Sequence, residues 1–113
     1  MLGRLDEIVF DCAEPVRLAV FWAHVLGGEP VHRSPDWSYV DPPGQPRLAF
    51  QRVPEGKPGK NRLHLDVAVD DLDEVRARLE RQGAVSVGSV VTDEQGSFQI
   101  MYDPELNEFC LIV

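Results

Sequence analysis

The sequence predicts an α+β fold of two like modules, each running strand, helix, strand, strand, strand. The first reason is that the plan occurs twice. Residues 6–31 read as an alternating strand, a break at Glu14-Pro15, an apolar-striped helix, Gly27-Gly28 and a new strand. Residues 61–87 repeat this with a break at Asp70-Asp71 and a stop at Gly83. The second reason is the change of period within each half, from two in the strands to 3.6 in the helices. The third is that short apolar runs separated by turn residues complete each half. A repeat of this size means two modules, each a sheet with a helix on one face and the other face free. Curled side by side, they make a mixed sheet with a half-open cup, the natural place for a ligand.

The first strand covers about Leu5 to Cys12, with Ile8, Phe10 and Cys12 on one face and Glu7, Val9 and Asp11 on the other. Pro15 suits the first helical turn, and Glu14 puts negative charge at its positive end. Leu18, Phe21, Trp22 and Val25 form the buried stripe, and Gly27-Gly28 ends the helix. Strands follow near Pro30 to Arg33, Trp37 to Val40 and Arg47 to Val53, with turn chemistry at Ser34-Pro35-Asp36 and Asp41-Pro42-Pro43-Gly44. Leu48 and Phe50 face the core; Ala49 and Gln51 face the cup.

Pro54 to Lys60 is the linker, so the chain reads as a single domain, 1–113, with modules of roughly 1–53 and 61–113. The second module opens with an alternating strand from Arg62 to Val69. Leu65, Val67 and Val69 form its core face, and His64, Asp66 and Ala68 its cup face. Asp70 is the expected helix cap, with Asp73 three residues on. Leu72, Val75 and Leu79 make the stripe, while Arg76, Arg78, Glu80 and Arg81 are solvated. Strands follow at Val85 to Val91, Ser97 to Tyr102 and Glu108 to Val113, the last two joined by a turn at 103–107. Glu108, Cys110 and Ile112 take the cup face.

The 113 residues and their ordinary apolar content suffice for a core without disulfides. A net charge of -8 leaves no basic stripe for nucleic acid and disfavours an anionic membrane. Cys12 and Cys110 lie in strand-like runs and read as buried free thiols, which fits a cytoplasmic setting. No signal peptide or membrane-spanning run is present in the sequence. Nucleophile elbow, phosphate loop, CxxC pair and dinucleotide fingerprint are likewise missing.

The doubled plan, Phe21-Trp22 followed by Leu26-Gly27, His64-Leu65-Asp66, and Asp103-Pro104 before Asn107-Glu108-Phe109 resemble the vicinal oxygen chelate superfamily. That group includes glyoxalase I, extradiol dioxygenases, fosfomycin-resistance transferases and bleomycin-binding proteins. Residues 48–54 and 57–62 resemble a glyoxalase-like subgroup common in actinobacteria. The resemblance implies a small-molecule ligand in the cup, a homodimer, and in metal-using members a divalent ion (Zn, Ni, Mn or Fe) held by four cup side chains. Carried over, those positions are Glu7, Gln51 (or Ala49 if the register slips), His64 and Cys110. Only His64 matches the pattern outright, so the expectation is binding without a tightly held metal. The alternative is a metal-dependent lyase, isomerase or dioxygenase acting on vicinal oxygens.

His64 reads as a ligand or general base, or as a polar side chain bonded to a neighbour. Asp66, about 7 Å further along the face, can orient that imidazole or accept a proton; the alternative is an ion pair with Arg62 or Arg47. Cys110 reads as a packed small hydrophobe, with soft-metal ligation as the alternative. Gln51, Glu108 and Trp37 at the rim complete the expected ligand wall. Acids at Glu7, Asp11, Asp66 and Glu108 favour a neutral or cationic, partly aromatic ligand.

Overall fold

The computed structural model describes residues 1–113. Its elements are β1 (Glu7–Cys12), α1 (Pro15–Leu26), β2 (Val31–Ser34), β3 (Trp37–Val40), β4 (Arg47–Arg52), β5 (Leu65–Ala68), α2 (Leu72–Arg81), β6 (Val85–Asp93), β7 (Gly96–Tyr102) and β8 (Glu108–Ile112). They form two four-stranded mixed sheets of identical plan, β1-β4-β3-β2 and β5-β8-β7-β6. The α+β architecture of two βαβββ modules is therefore the one the repeat predicts. Met1–Gly56 and Lys57–Val113 are separate compact units.

In the first unit β1 runs parallel to β4, from Glu7 opposite Arg47 to Cys12 opposite Arg52. Parallel neighbours need a crossover, and α1 supplies it. Pro15 starts the helix, where its missing N–H costs nothing. Leu18, Trp22 and Phe50 are wholly buried. Phe10 meets Trp22 and Phe50 edge-on, with ring centres 5.8 and 5.4 Å apart, a geometry that aromatic quadrupoles favour. Gly28 passes so close to the next turn that a Cβ there would lie 2.8 Å from the Asp41 carbonyl oxygen.

In the second unit β5 runs parallel to β8 and α2 is the crossover. Val67, Leu72, Leu79, Ala84, Met101, Phe109 and Leu111 are its buried apolar residues, and α2 lies against β6 and β8. The turn before β8 is built by one carboxylate. Asp103 is 1% exposed, and its Oδ1 accepts the backbone N–H groups of Glu105 at 2.8 Å and Asn107 at 3.0 Å. No helix is long and apolar enough to cross a membrane.

Three local expectations are corrected. The first strand of the second unit begins at Leu65, not Arg62. Just before that start, Asn61 Nδ2 donates to the Glu108 carbonyl oxygen. The α2 cap is Asp71 rather than Asp70: Asp71 is extended and its side chain takes the Glu74 N–H at 3.0 Å. Arg76 is not simply solvated. It bridges Asp73 and the buried Gln99 amide oxygen, whose own NH2 is bonded to the Val87, Gly88 and Ile100 carbonyls. A buried amide demands such partners, and the stem of an arginine can reach inward while its head stays wet.

Gly96 has φ +139, and a Cβ there would sit 2.3 Å from the Val113 carbonyl oxygen. Gly96→Ala is expected to lower unfolding stability by about 2 kcal/mol or more, since both strain and a backbone clash are imposed. Chemical denaturation checks this.

Candidate functional site

Residues directly opposite in a ladder share a face. In the second unit the register therefore writes rows across the sheet. Asp66 faces Cys110, Cys110 faces Ile100, and Ile100 faces Val87. The next row is Ala68, Ile112, Phe98 and Val91. Every residue of these rows is exposed or half-buried, whereas Phe109, Leu111 and Met101, on the helix side, are at most 1% exposed. The first face is thus the open one, and it carries apolar side chains with polar groups at the β5 edge.

A cleft of about 500 Å³ lies at that edge, lined by His64, Asp66, Cys110, Phe98 and Ile112 together with residues 93, 95–97 and 113. His64 precedes β5 by one residue, and its Nε2 is 3.3 Å from Asp66 Oδ1. Asp66 therefore pairs with neither Arg62 nor Arg47; Arg47 is bonded to Asp41 instead, at 2.7 and 3.0 Å. One donor atom each from His64, Asp66 and Cys110 lies within 4.8 Å of the others. Burial pushes the Cys110 thiol up from its usual pKa, the Asp66 charge adds to this, and Lys60 opposes it. The thiol consequently keeps its proton at neutral pH unless a bound cation displaces it.

Glu108 is differently employed. Its side chain is only 14% exposed and its Oε1 meets Lys57 Nζ at 3.2 Å. Its Oε2 accepts the Asn61 N–H at 2.8 Å. Burial pushes its pKa up, but the Asn61 amide, its own amide and Lys57 outweigh this and leave it below the ordinary carboxylate value. Glu108 is thus an anchor for residues 57–61 rather than a free ligand group. Beside it lies a second cleft of about 540 Å³, lined by residues 57–60, Val87, Ile100, Tyr102, Leu106 and Glu108.

The other expected residues lie in the first unit. Glu7 is 4.0 Å from Arg47, which stacks on Tyr39 at 3.9 Å. Gln51 is exposed and stands opposite Asp11 and Trp37. Trp37 lies 5.8 Å from the Arg33 guanidinium, and its buried indole nitrogen has no hydrogen-bond partner. Glu7 and Gln51 are at opposite ends of the β1–β4 ladder, about 13 Å apart along the strands, so they do not meet at one ion. Helix α1 begins four residues after Asp11, and α2 four after Ala68. On that alignment Glu7 matches His64, and Ala49 rather than Gln51 matches Cys110. Ala49 is fully buried and has nothing to ligate with.

The structure thus brings His64, Asp66 and Cys110 together. Sequence reasoning placed Asp66 beside His64 but missed its pairing with Cys110. The signal was present: a parallel β5–β8 pair with both apolar faces aligned puts Val67 beside Leu111 and hence Asp66 beside Cys110. On the sequence, Lys57 and Lys60 read as linker and Asn61 as the start of the second module.

A family model described as glyoxalase-like domain matches residues 7–112. No curated protein matches the chain by sequence. Among solved structures, a glyoxalase/bleomycin resistance/dioxygenase family enzyme from Burkholderia phytofirmans is similar at TM-score 0.82 and 19% identity, covering 97% of this chain and 98% of that one. A glyoxalase-related enzyme from Fulvimarina pelagi gives TM-score 0.76 and 18% identity over 98% and 88%. A mutant of the fosfomycin resistance protein FosX from Listeria monocytogenes, solved with Mn(II) and 1S,2S-dihydroxypropylphosphonic acid, gives 0.79 and 15% over 99% and 90%. At these identities the likeness shows the fold alone.

Since Glu108 has its pKa lowered by folding, its contribution to stability is complete above the unfolded value and lost as pH falls through the folded one. Hydrogen exchange at residues 57–61 is therefore expected to quicken as pH falls below the ordinary carboxylate range, after correction for intrinsic rates. Glu108→Ala is expected to reproduce this at neutral pH and to cost about 1.5–3 kcal/mol, the usual range for hydrogen bonds to a charged group.

Proposed function

Because this chain belongs to the glyoxalase-like domain family, within the vicinal oxygen chelate superfamily, we propose that it binds a small organic molecule on the open face of its second module. The observation that carries this is the cleft itself: an apolar floor of Phe98 and Ile112 with His64, Asp66 and Cys110 converging at one edge. Few polar groups over an apolar floor is the usual make-up of a small-molecule site. Asp66 accepts from His64 Nε2 when that nitrogen carries the proton, which leaves the other ring nitrogen to accept from a ligand hydroxyl or take its proton. Phe98 and Ile112 exclude water from the apolar part of the ligand. Within the first module taken by itself, Trp37, with its unpartnered indole N–H, and Gln51 are proposed as ligand-contacting residues. The chain would work as a single cytoplasmic domain and, as family members commonly do, as a homodimer.

A second reading is favoured by one observation, the approach of three metal-capable donors within 4.8 Å. One imidazole, one carboxylate and one thiol fit Zn, then Ni or Fe, better than Mn, since sulfur is a soft donor. His64, Asp66 and Cys110 would hold the ion and leave a position open. When bound it would polarise the vicinal oxygens of a substrate, and Asp66 and His64 would also govern the protons nearby. On this reading the activity is that of a lyase, isomerase or dioxygenase.

Titration with small aromatic compounds, followed by backbone amide shifts, tests the first reading. Resonances of Phe98, Cys110 and Ile112 are expected to move, and Asp66→Ala to weaken binding about three- to tenfold, the loss of one hydrogen bond. Shifts confined to other residues would contradict it. Elemental analysis separates the two readings: less than trace metal as purified is expected on the first. Stoichiometric metal, lost in both His64→Ala and Cys110→Ser, is expected on the second.

A further inference from the structure

The segment 57–61 is pinned to the second sheet at both ends. Lys57 Nζ meets Glu108 Oε1 at 3.2 Å and also donates to the Gly59 carbonyl oxygen. At the other end the Asn61 N–H meets Glu108 Oε2 at 2.8 Å. These contacts neutralise Lys57 against Glu108. Lys60 lies between the two pins and makes no ion pair, although the chain carries a net charge of -8. It lines the cleft floored by Ile100 and Val87.

This cleft is continuous in register with the His64–Asp66 cleft. Ile100 is opposite Cys110, and Cys110 is opposite Asp66. Two strand spacings, about 10 Å, separate Ile100 from Asp66 across the sheet. The charge of Lys60 reaches far enough to oppose the upward shift of the Cys110 thiol. Of the acids that favour a neutral or cationic ligand on sequence grounds, the one lining this cleft, Glu108, is already neutralised. Glu108 is held by Lys57, and Asp66 lies against His64. Among the charged residues lining this cleft that leaves Lys60 unmatched, restrained by its loop, beside an apolar floor.

We propose that Lys60 anchors the carboxylate of a small amphipathic acid whose apolar body lies over Ile100 and Val87 and whose far end reaches the His64–Asp66 pair. This rests on the small-molecule reading above and adds to it the charge and orientation of the ligand. A lysine that only solvates its loop would show no preference among ligands of equal shape and different charge.

The test uses the full chain and three probes of one skeleton: 4-phenylbutyrate, 4-phenylbutyramide and 4-phenylbutylamine, titrated at neutral pH with amide shifts as readout. Wild type is expected to bind the carboxylate about three- to fivefold more tightly than the amide, the usual worth of a partly exposed ion pair. Lys60→Ala should abolish the preference, Lys60→Glu should reverse it toward the amine, and Lys60→Arg should keep it. Added salt should shrink it. Equal binding of carboxylate and amide to Ile100 and Cys110, or a preference undisturbed by Lys60→Glu, overturns the role of Lys60 and leaves the small-molecule reading standing. If no probe of any charge moves Ile100, Cys110 or Phe98, both are overturned.

Discussion

A strand paired in a half-buried sheet cannot slip by one residue without turning its apolar side chains to water. In this chain that constraint acts most sharply on β5, which has only four residues, Leu65–Ala68. Val67 must lie beside Leu111 to keep both in the core. Once it does, Asp66 has no choice but to lie beside Cys110, and Cys110 beside Ile100. The polar cluster is therefore a by-product of burying its neighbours. Its precision is inherited from the core, which is how a short strand can position side chains that are themselves half exposed.

The same register explains why the two modules, alike in plan, differ in chemistry. The row that holds Glu108 in the second module holds Arg47 in the first. Glu108 clamps a loop, leaving the sheet face beside it open as a cleft. Arg47 instead folds over Tyr39 and binds Asp41, holding the Asp41 carboxyl below its usual pKa. The next row has Cys110 in one module and a buried alanine, Ala49, in the other. Repetition of the backbone supplied two equivalent faces. The side chains made only the second into a place where imidazole, carboxylate and thiol converge.

Most of the architecture was legible because it depends on periodicity and punctuation. The stripes of Leu18, Phe21 and Trp22 and of Leu72 and Leu79, the Pro15 start and the Asp103 turn all express local preferences. What escaped was non-local. Asp71 rather than Asp70 caps α2 because of where the backbone turns, although Glu74, three residues after Asp71, fits the capping pattern better than Asp73 after Asp70. Arg62 and Leu63 alternate like strand residues, yet the ladder begins only at Leu65, where Asn61 is already bonded to Glu108. Glu108 reads as a ligand group on the alternation of β8, and only its contacts with Asn61 and Lys57, 47 and 51 positions earlier in the chain, reveal it as an anchor. For the site, the face of His64, Asp66 and Cys110 could be read from alternation. Their mutual approach required the register between β5 and β8, which single-strand patterns do not contain.

The measurement that bears most directly on this account is the set of interstrand proton contacts in the second sheet, read by nuclear Overhauser spectroscopy on the labelled chain in solution. The account requires Asp66 to be opposite Cys110 and Cys110 opposite Ile100. Contacts offset by one residue, pairing Asp66 with Phe109 or Leu111, would contradict it, since the imidazole–carboxylate pair and the thiol would then lie on opposite faces of the sheet.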